Sequence, residues 1–161
     1  MAHEAAERPG NRFLRTLPHA LSERLRGKFE TIALDRGTIL THAGAPAGEL
    51  YFPDRGLISL VKIMRDGRTA EVGFAGVDGM AGVSALLGLD QSAFEAIVQI
   101  PGNGRRIRTS ALRAEMEHSP ALKELVLHYI VLRDEPAGAD RGLQPPALAA
   151  AALLPLAADR A

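Results

Sequence analysis

Residues 51–88, YFPDRGLISLVKIMRDGRTAEVGFAGVDGMAGVSALLG, decide the fold of this chain. Two runs of apolar and β-branched residues, 57–64 and 69–74, flank the sequence RDGR at positions 65–68. Because Asp-Gly supplies the positive φ angles of a tight turn, this pattern predicts a β-hairpin. Glycines at positions 76, 79, 82 and 88 then surround a short apolar run. They predict a loop that leads into one helical turn.

Further short strands on both sides of this hairpin extend the prediction to a whole domain. The other predicted strands comprise residues 29–34, 38–41, 49–52, 94–100 and 105–108. We expect a turn at each boundary, including one at PGNG, residues 101–104. Many short strands at regular spacing, joined by glycine and proline turns, are typical of an antiparallel jelly roll. The predicted fold class is therefore mainly β, with helices at its ends.

Apolar residues at helical spacing predict those helices. Apolar residues recur at helical spacing over residues 13–17 and 21–29, and Pro18 separates the two short helices that they predict. Thr109 or Ser110 would cap a helix over residues 111–117, and Ser119-Pro120 would begin another. The last helix carries its apolar residues on one face: Leu122, Leu125, Val126, Tyr129 and Ile130. Such a stripe serves either to pack on the barrel or to join two helices in a dimer, and the sequence leaves both open.

Residues 11–130 resemble the sensor domain of the Crp/Fnr family of bacterial transcription regulators, a cyclic-nucleotide-binding-like jelly roll. The matching residues are Tyr51 to Pro53, Gly56 to Val61, Asp66-Gly67, Glu71-Val72 and Gly76 to Gly82. The resemblance implies a jelly-roll sensor domain at 11–118 with an N-terminal helical cap, and the start of a dimerisation helix at 119–135. It also implies a regulatory protein rather than an enzyme. The implied partners are an unknown small-molecule effector and a second copy of the chain or an intact relative.

The resemblance further implies where an effector would bind. A cyclic nucleotide in this fold needs a Glu for the ribose hydroxyl and an Arg for the phosphate. The alignment places Val83 and Phe94 at those positions, so we expect no cyclic AMP binding through the usual pair. Backbone N–H groups after the glycines could still meet an anion. The candidate pocket comprises Gly79, Gly82, Val83, Phe94 and Tyr51. A stand-alone small-ligand-binding module is the alternative.

A third hypothesis is a cupin-like metalloenzyme, because cupins share the jelly-roll architecture. Their metal site needs two closely spaced His and a Glu, whereas His42 and Glu49 are the one nearby pair in this sequence. Three acidic residues that might act together are predicted to lie apart, at a hairpin tip, on a strand and in a loop: Asp66, Glu71 and Asp78. We therefore predict no catalytic residue, no metal ligand and no cofactor.

Composition limits the partners. Nineteen basic and nineteen acidic residues give a net charge of zero, so the whole chain offers no attraction to nucleic acid phosphates. The basic residues Arg105, Arg106, Arg108 and Arg113 lack interleaved aromatics and are expected to be solvated. The N-terminus has no secretory signal, and the longest apolar run, 147–158, is too short to cross a bilayer. We expect a cytoplasmic protein that does not bind DNA by itself.

The two ends of the chain are predicted to be disordered. Residues 1–10 are polar and end in Pro-Gly. Residues 136–161 contain ten Ala and four Pro without an amphipathic period, and no winged helix-turn-helix pattern is found there. The change of character after Ile130 suggests a frameshift near that codon, which would truncate the regulator before its DNA-binding domain. Sequencing the locus tests this hypothesis.

Overall fold

The computed structural model describes residues 8–134 of the 161-residue chain. Its strands are β1 (Glu30–Leu34), β2 (Ile39–Thr41), β3 (Glu49–Ile63), β4 (Thr69–Ala75) and β5 (Glu95–Arg108). Its helices are α1 (Arg12–Arg15), α2 (His19–Arg26), a 3-10 helix (Val83–Leu87), α3 (Thr109–His118) and α4 (Pro120–Asp134). The predicted disordered tail at 136–161 and most of the N-terminal lead-in lie outside the described residues.

The strands form one antiparallel sheet in the order β1-β5-β3-β4. The short strand β2 also pairs with β5, at residues 96–97, whereas β1 pairs with residues 102–106. The central pair is β3 with β5, which run side by side from Glu49 opposite Arg108 to Val61 opposite Glu95. Helices flank this sheet at both ends of the chain. The predicted antiparallel jelly-roll class with flanking helices is confirmed.

The hairpin at the centre of the sequence is also confirmed, with one difference in its turn. Met64 N–H donates to the Arg68 carbonyl at 2.7 Å, which closes the turn between β3 and β4. Gly67 has φ +82°, whereas Asp66 keeps a negative φ, so one positive angle suffices where we expected two. The Asp66 carboxylate instead accepts the Arg68 N–H at 3.0 Å and stabilises the turn from its side chain.

The predicted turn at residues 101–104 is wrong, because β5 continues through them. Gly102 lies opposite Leu34 of β1, and Gly104 lies opposite Pro53 of β3. A Cβ on Gly102 would collide with the Arg55 carbonyl oxygen. The glycines therefore serve close packing of three strands rather than a reversal. The predicted strands 49–52 and 57–64 are likewise one strand, β3, which bends through register shifts between residues 53 and 58.

The main core lies between the helices and one end of the β3–β5 pair. Phe52 on β3 packs at ring-centroid distances of 6.1 Å from Phe13 and 5.7 Å from Phe29. Tyr129 on α4 meets Phe13 edge-on at 5.7 Å. The two predicted N-terminal helices are confirmed on either side of Pro18, and their apolar residues enter this core.

Asn11 attaches the N-terminal helices to the sheet. Its side chain is fully buried, and its Nδ2 donates to the carbonyls of Pro53 and Gly79, each at 2.9 Å. Its Oδ1 accepts the Leu14 N–H at 3.2 Å and so caps α1. One side chain therefore joins α1, β3 and the glycine loop.

The C-terminal helices begin as predicted within two residues, but the cap of α3 differs. Thr109 is the first helical residue, and its hydroxyl donates to the Ala47 carbonyl at 3.1 Å rather than capping α3. Ser119 Oγ accepts the Leu122 N–H at 3.3 Å at the start of α4. Burial alone would raise the pKa of Glu115 on α3. The bonds from Arg24 (3.2 Å) and Lys28 (3.5 Å) lower that pKa by more than burial raises it, so it lies below its ordinary value. This carboxylate ties α3 to α2.

Candidate functional site

A cavity of about 390 Å³ lies between the sheet, the 3-10 helix and the C-terminal end of α4. Most of its wall is apolar: Leu60, Val72, Val83, Leu87, Leu89, Ala93, Phe94, Ala96 and Ile130. The polar side chains in its wall are those of Thr41, Ser84, Ser92 and Arg133. A cavity of this size and composition is typical of a site for one small molecule, which apolar walls bind and a few polar groups orient.

Glycines shape the 3-10 helix that forms one wall. Gly82 has φ +97°, and a Cβ there would lie 2.6 Å from the Glu49 carbonyl oxygen. Gly88 ends the same helix with φ +87°. Ala85 and Leu86 are buried, while Val83 and Leu87 line the cavity. The glycine loop and helical turn predicted from the sequence are confirmed, and they hold the apolar wall in place.

Three of the five predicted pocket residues line this cavity: Gly82, Val83 and Phe94. The two positions that the alignment assigned to a Glu and an Arg therefore both line the cavity, and each carries an apolar side chain. Gly79 and Tyr51 lie outside the lining. Gly79 is buried beneath Tyr129, and a Cβ there would lie 2.6 Å from the Tyr129 hydroxyl oxygen.

Tyr51 supports the site from outside. Its backbone N–H and carbonyl pair with those of Ala81 at 3.0 and 2.9 Å, which fixes the glycine loop to β3. Its hydroxyl donates to Glu49 Oε2 at 2.9 Å and lies 3.1 Å from the Leu40 carbonyl oxygen. Burial, and then the Glu49 carboxylate, raise the pKa of Tyr51 to about 12. The phenol is therefore a structural donor that stays protonated at neutral pH.

The end of α4 contacts the glycine loop through two side chains one helical turn apart. The Tyr129 hydroxyl accepts the Met80 N–H at 3.0 Å and lies 3.2 Å from the Met80 carbonyl oxygen. Arg133 donates from Nη1 to that carbonyl at 3.1 Å and from Nη2 to the Phe74 carbonyl at 3.2 Å. Its guanidinium lies 6.0 Å from the Tyr129 ring centroid.

Sequence reasoning missed Arg133, although a signal for it exists. Arg133 follows Val126, Tyr129 and Ile130 at the spacing of one helix face, which the sequence analysis followed only as far as Ile130. Gly73 on β4 leaves room for the guanidinium, because a Cβ there would lie 3.1 Å from Nη2. An arginine on an otherwise apolar helix face was the clue that the sequence offered.

The apolar stripe proposed for dimerisation packs on its own barrel over the described residues. Leu122 and Val126 are 0% exposed, and the other three members, Leu125, Tyr129 and Ile130, pack against the same core. The apolar side chains that α4 presents to solvent are instead Leu127, Val131 and Leu132, which are 44%, 61% and 63% exposed. Pairing along α4 stays a prediction, and these three residues are the surface available for it.

The metal hypothesis gains no support from the described residues. His42 Nδ1 lies 3.5 Å from Glu95 Oε2, not beside Glu49, whose carboxylate accepts the Tyr51 hydroxyl. Within residues 8–134, no group of three His, Asp or Glu side chains gathers closely enough to hold a metal ion. No helix in this part of the chain is long and apolar enough to cross a membrane.

The charged residues considered from the sequence are dispersed and engaged in local contacts. Arg105 pairs with Asp54 at 3.3 Å and Arg106 with Glu30 at 2.8 Å, across neighbouring strands. The Glu30 hydrogen bond and the Glu49 charge raise the pKa of Arg106. Glu71 accepts the Ser59 hydroxyl at 2.6 Å. These contacts stabilise the sheet surface and form no catalytic arrangement.

An antiparallel jelly roll whose glycine loop and 3-10 helix adjoin a largely apolar cavity defines the class of cyclic-nucleotide-binding-like domains. The family model "Cyclic nucleotide-binding domain" matches residues 31–119. The chain belongs to this family. No curated protein sequence matched the chain significantly.

Solved structures with the same fold include parts of several regulators. The N-terminal domain of a transcriptional regulator from Streptomyces coelicolor A3(2) is 19% identical, with a TM-score of 0.60 over 81% of this chain and 99% of that chain. The sensor domain of the transcriptional regulator DNR from Pseudomonas aeruginosa is 15% identical, with a TM-score of 0.64 over 80% of this chain and 90% of that chain. The Thermus thermophilus catabolite activator protein is 14% identical, with a TM-score of 0.64 over 75% of this chain and 57% of that chain. The resemblance to the sensor domains of Crp/Fnr-type regulators is confirmed.

Proposed function

We propose that this chain is a Crp/Fnr-type sensor domain that binds a small, mainly apolar effector in the cavity beside the 3-10 helix. The observation that carries the proposal is that Val83 and Phe94, where the family alignment expects a Glu and an Arg, both line the cavity. Burial of a phosphate against two apolar side chains is costly, because a buried charge needs a partner. Cyclic AMP held by the usual Glu/Arg pair therefore does not suit this wall.

The same cavity offers a route from effector to helix. Ile130 and Arg133 of α4 line it together with the barrel residues, so a bound effector would contact α4 directly. A ligand shifts a conformational equilibrium only by its differential affinity for the two states. Contact with both α4 and the barrel supplies such a difference. The proposed role is thus regulatory, and the proposed partners are a second copy of the chain or a related Crp/Fnr-type regulator.

Fluorescence titration with N-phenylnaphthylamine, a neutral apolar probe, tests the proposed site. We expect the probe to bind, and we expect Ala93→Trp to weaken that binding about tenfold or more, since the indole would fill the cavity mouth. The matched control is Ala33→Trp, at an exposed position on β1 outside the cavity lining, where a strand tolerates an aromatic side chain.

Calorimetric titration with cyclic AMP and cyclic GMP tests whether the cavity excludes cyclic nucleotides, as we propose. We expect no binding tighter than about 1 mM, because the positions of the usual Glu/Arg pair carry Val83 and Phe94 and no carboxylate among the described lining residues is available to hold the ribose hydroxyl. Micromolar binding of either nucleotide, abolished by Ala93→Trp, would overturn the proposal of an apolar effector. Failure of the neutral probe to bind, or equal effects of the two Trp variants, would instead remove the cavity as the site.

A further inference from the structure

We infer that the effector is an amphipathic acid whose anionic group binds Arg133, while its apolar body lies against Val83 and Phe94. This inference rests on the proposed function, and it names the chemical class of the effector. It starts from the position of one positive charge. Arg133 is the ionised side chain in a cavity wall whose other polar side chains, over the described residues, are three hydroxyls.

The guanidinium of Arg133 is held by neutral acceptors. It donates to the carbonyl oxygens of Met80 and Phe74 and to the hydroxyl oxygen of Tyr129, at 3.1 to 3.3 Å. Among residues 8–133, no Asp or Glu carboxylate lies within the 4.0 Å ion-pair distance of Arg133. An arginine stays protonated, so within residues 8–133 this positive charge has no carboxylate partner.

That charge selects the ligand. A carboxylate, sulfonate or phosphate can accept two parallel N–H bonds from a guanidinium, and such charge-assisted bonds are roughly twice as strong as bonds to neutral acceptors. The apolar surroundings reduce competition from water and strengthen the attraction. Of the three hydroxyls, Ser92 already donates to the Phe94 carbonyl at 2.6 Å. The wall therefore suits one anionic group and an apolar remainder, and it suits a sugar poorly.

The charge also lies on α4 rather than on a strand of the barrel. Arg133 lies on α4, whereas Val83 begins the 3-10 helix and Phe94 precedes β5. The present acceptors of its guanidinium belong to the glycine loop and to β4. An effector anion would compete with these carbonyls for the same donors. Binding would thus exchange contacts between α4 and the barrel for contacts between α4 and the effector.

Two dyes with the same aromatic body test the inference. Anilinonaphthalene sulfonate carries an anionic group, and N-phenylnaphthylamine lacks it. We expect the wild-type chain to bind the sulfonate at least about tenfold more tightly, and added salt to weaken only the sulfonate. We expect Arg133→Met to bring the affinities for the two dyes to within about twofold of each other, and Arg133→Lys to keep part of the preference for the sulfonate.

The control is Arg68→Met, which removes an exposed arginine at the hairpin tip, away from the cavity lining, and should leave both affinities unchanged. Urea unfolding of each variant checks its fold. Equal affinities of the wild-type chain for the two dyes would overturn the inference without any variant. An unchanged sulfonate preference in Arg133→Met would also overturn it. If the neutral dye fails to bind at all, it is the proposed function that fails.

Discussion

Replacement of Tyr129 by Phe removes a single oxygen atom from the contact between α4 and the glycine loop. That oxygen accepts the Met80 N–H at 3.0 Å, and Met80 is completely buried. The Met80 carbonyl keeps its bond from Arg133 at 3.1 Å, so the N–H is the group that loses its partner. A buried donor without a partner costs about 1–3 kcal/mol. We expect Tyr129→Phe to lower the free energy of unfolding by about 2 kcal/mol.

Urea unfolding followed by circular dichroism measures this loss. With a denaturant slope of about 2 kcal/mol per molar urea, the midpoint should fall by about 1 M while the slope stays the same. The other tyrosine of the chain provides the matched control. The Tyr51 hydroxyl contacts the Glu49 carboxylate and the Leu40 carbonyl and satisfies no backbone N–H, so Tyr51→Phe should cost about 1 kcal/mol.

A loss below about 0.5 kcal/mol in Tyr129→Phe, or a loss no larger than that of the control, would refute the reasoning. Either result would mean that water or another group satisfies the Met80 N–H as well as Tyr129 does. The attachment of α4 to the glycine loop would then rest on Arg133 and apolar packing alone.

Two further predictions concern ionisation and association. The pKa of Tyr51 in the folded chain is raised to about 12. The contribution of its phenol to stability is therefore fully present below the unfolded pKa near 10 and is lost as pH rises from there to about 12. An absorbance titration of folded Tyr129→Phe that gives a tyrosinate pKa near 10 would contradict this prediction. If copies pair along α4, Val131→Glu should weaken the dimers measured by sedimentation equilibrium, while the free energy of unfolding changes by under about 0.5 kcal/mol. The control Ile63→Glu, at the end of β3, should leave the dimers unchanged. Equal dimerisation of the two variants would exclude α4 as the interface.

The elements predicted correctly are those that local chemistry determines. The Asp-Gly turn, the helix break at Pro18 and the glycine loop before the 3-10 helix each depend on backbone preferences within a few residues. Such preferences can be read from one stretch of sequence. The class of fold follows, because several short strands joined by such turns have few ways to bury their apolar faces.

The turn predicted at residues 101–104 was wrong because the same composition serves two purposes. Glycine permits a reversal, but it also permits close approach of backbones, as at Gly102 beside the Arg55 carbonyl. Which of the two applies depends on the neighbouring strands, and these are distant in sequence. Local pattern therefore could not decide between them.

The candidate site was predictable in part for the same reason. Val83 and Phe94 follow the glycine loop closely, and the family resemblance placed both positions, which share the cavity wall. Arg133 reaches the cavity only because α4 crosses the barrel beside Gly73, a tertiary relation that no sequence period encodes. Its side chain thus became recognisable as a cavity residue only from the packing of α4.

The continuity of β3 and β5 determines which parts of the domain can move. These strands remain paired from Glu49 opposite Arg108 to Val61 opposite Glu95, so the sheet should open only in a cooperative, near-global event. The 3-10 helix and α4 are held by side-chain bonds and packing outside that ladder. Amide hydrogen exchange should therefore be slowest along β3 and β5 and faster in the 3-10 helix and α4, which enclose the cavity. The sheet would act as a rigid frame against which occupancy of the cavity is converted into displacement of α4.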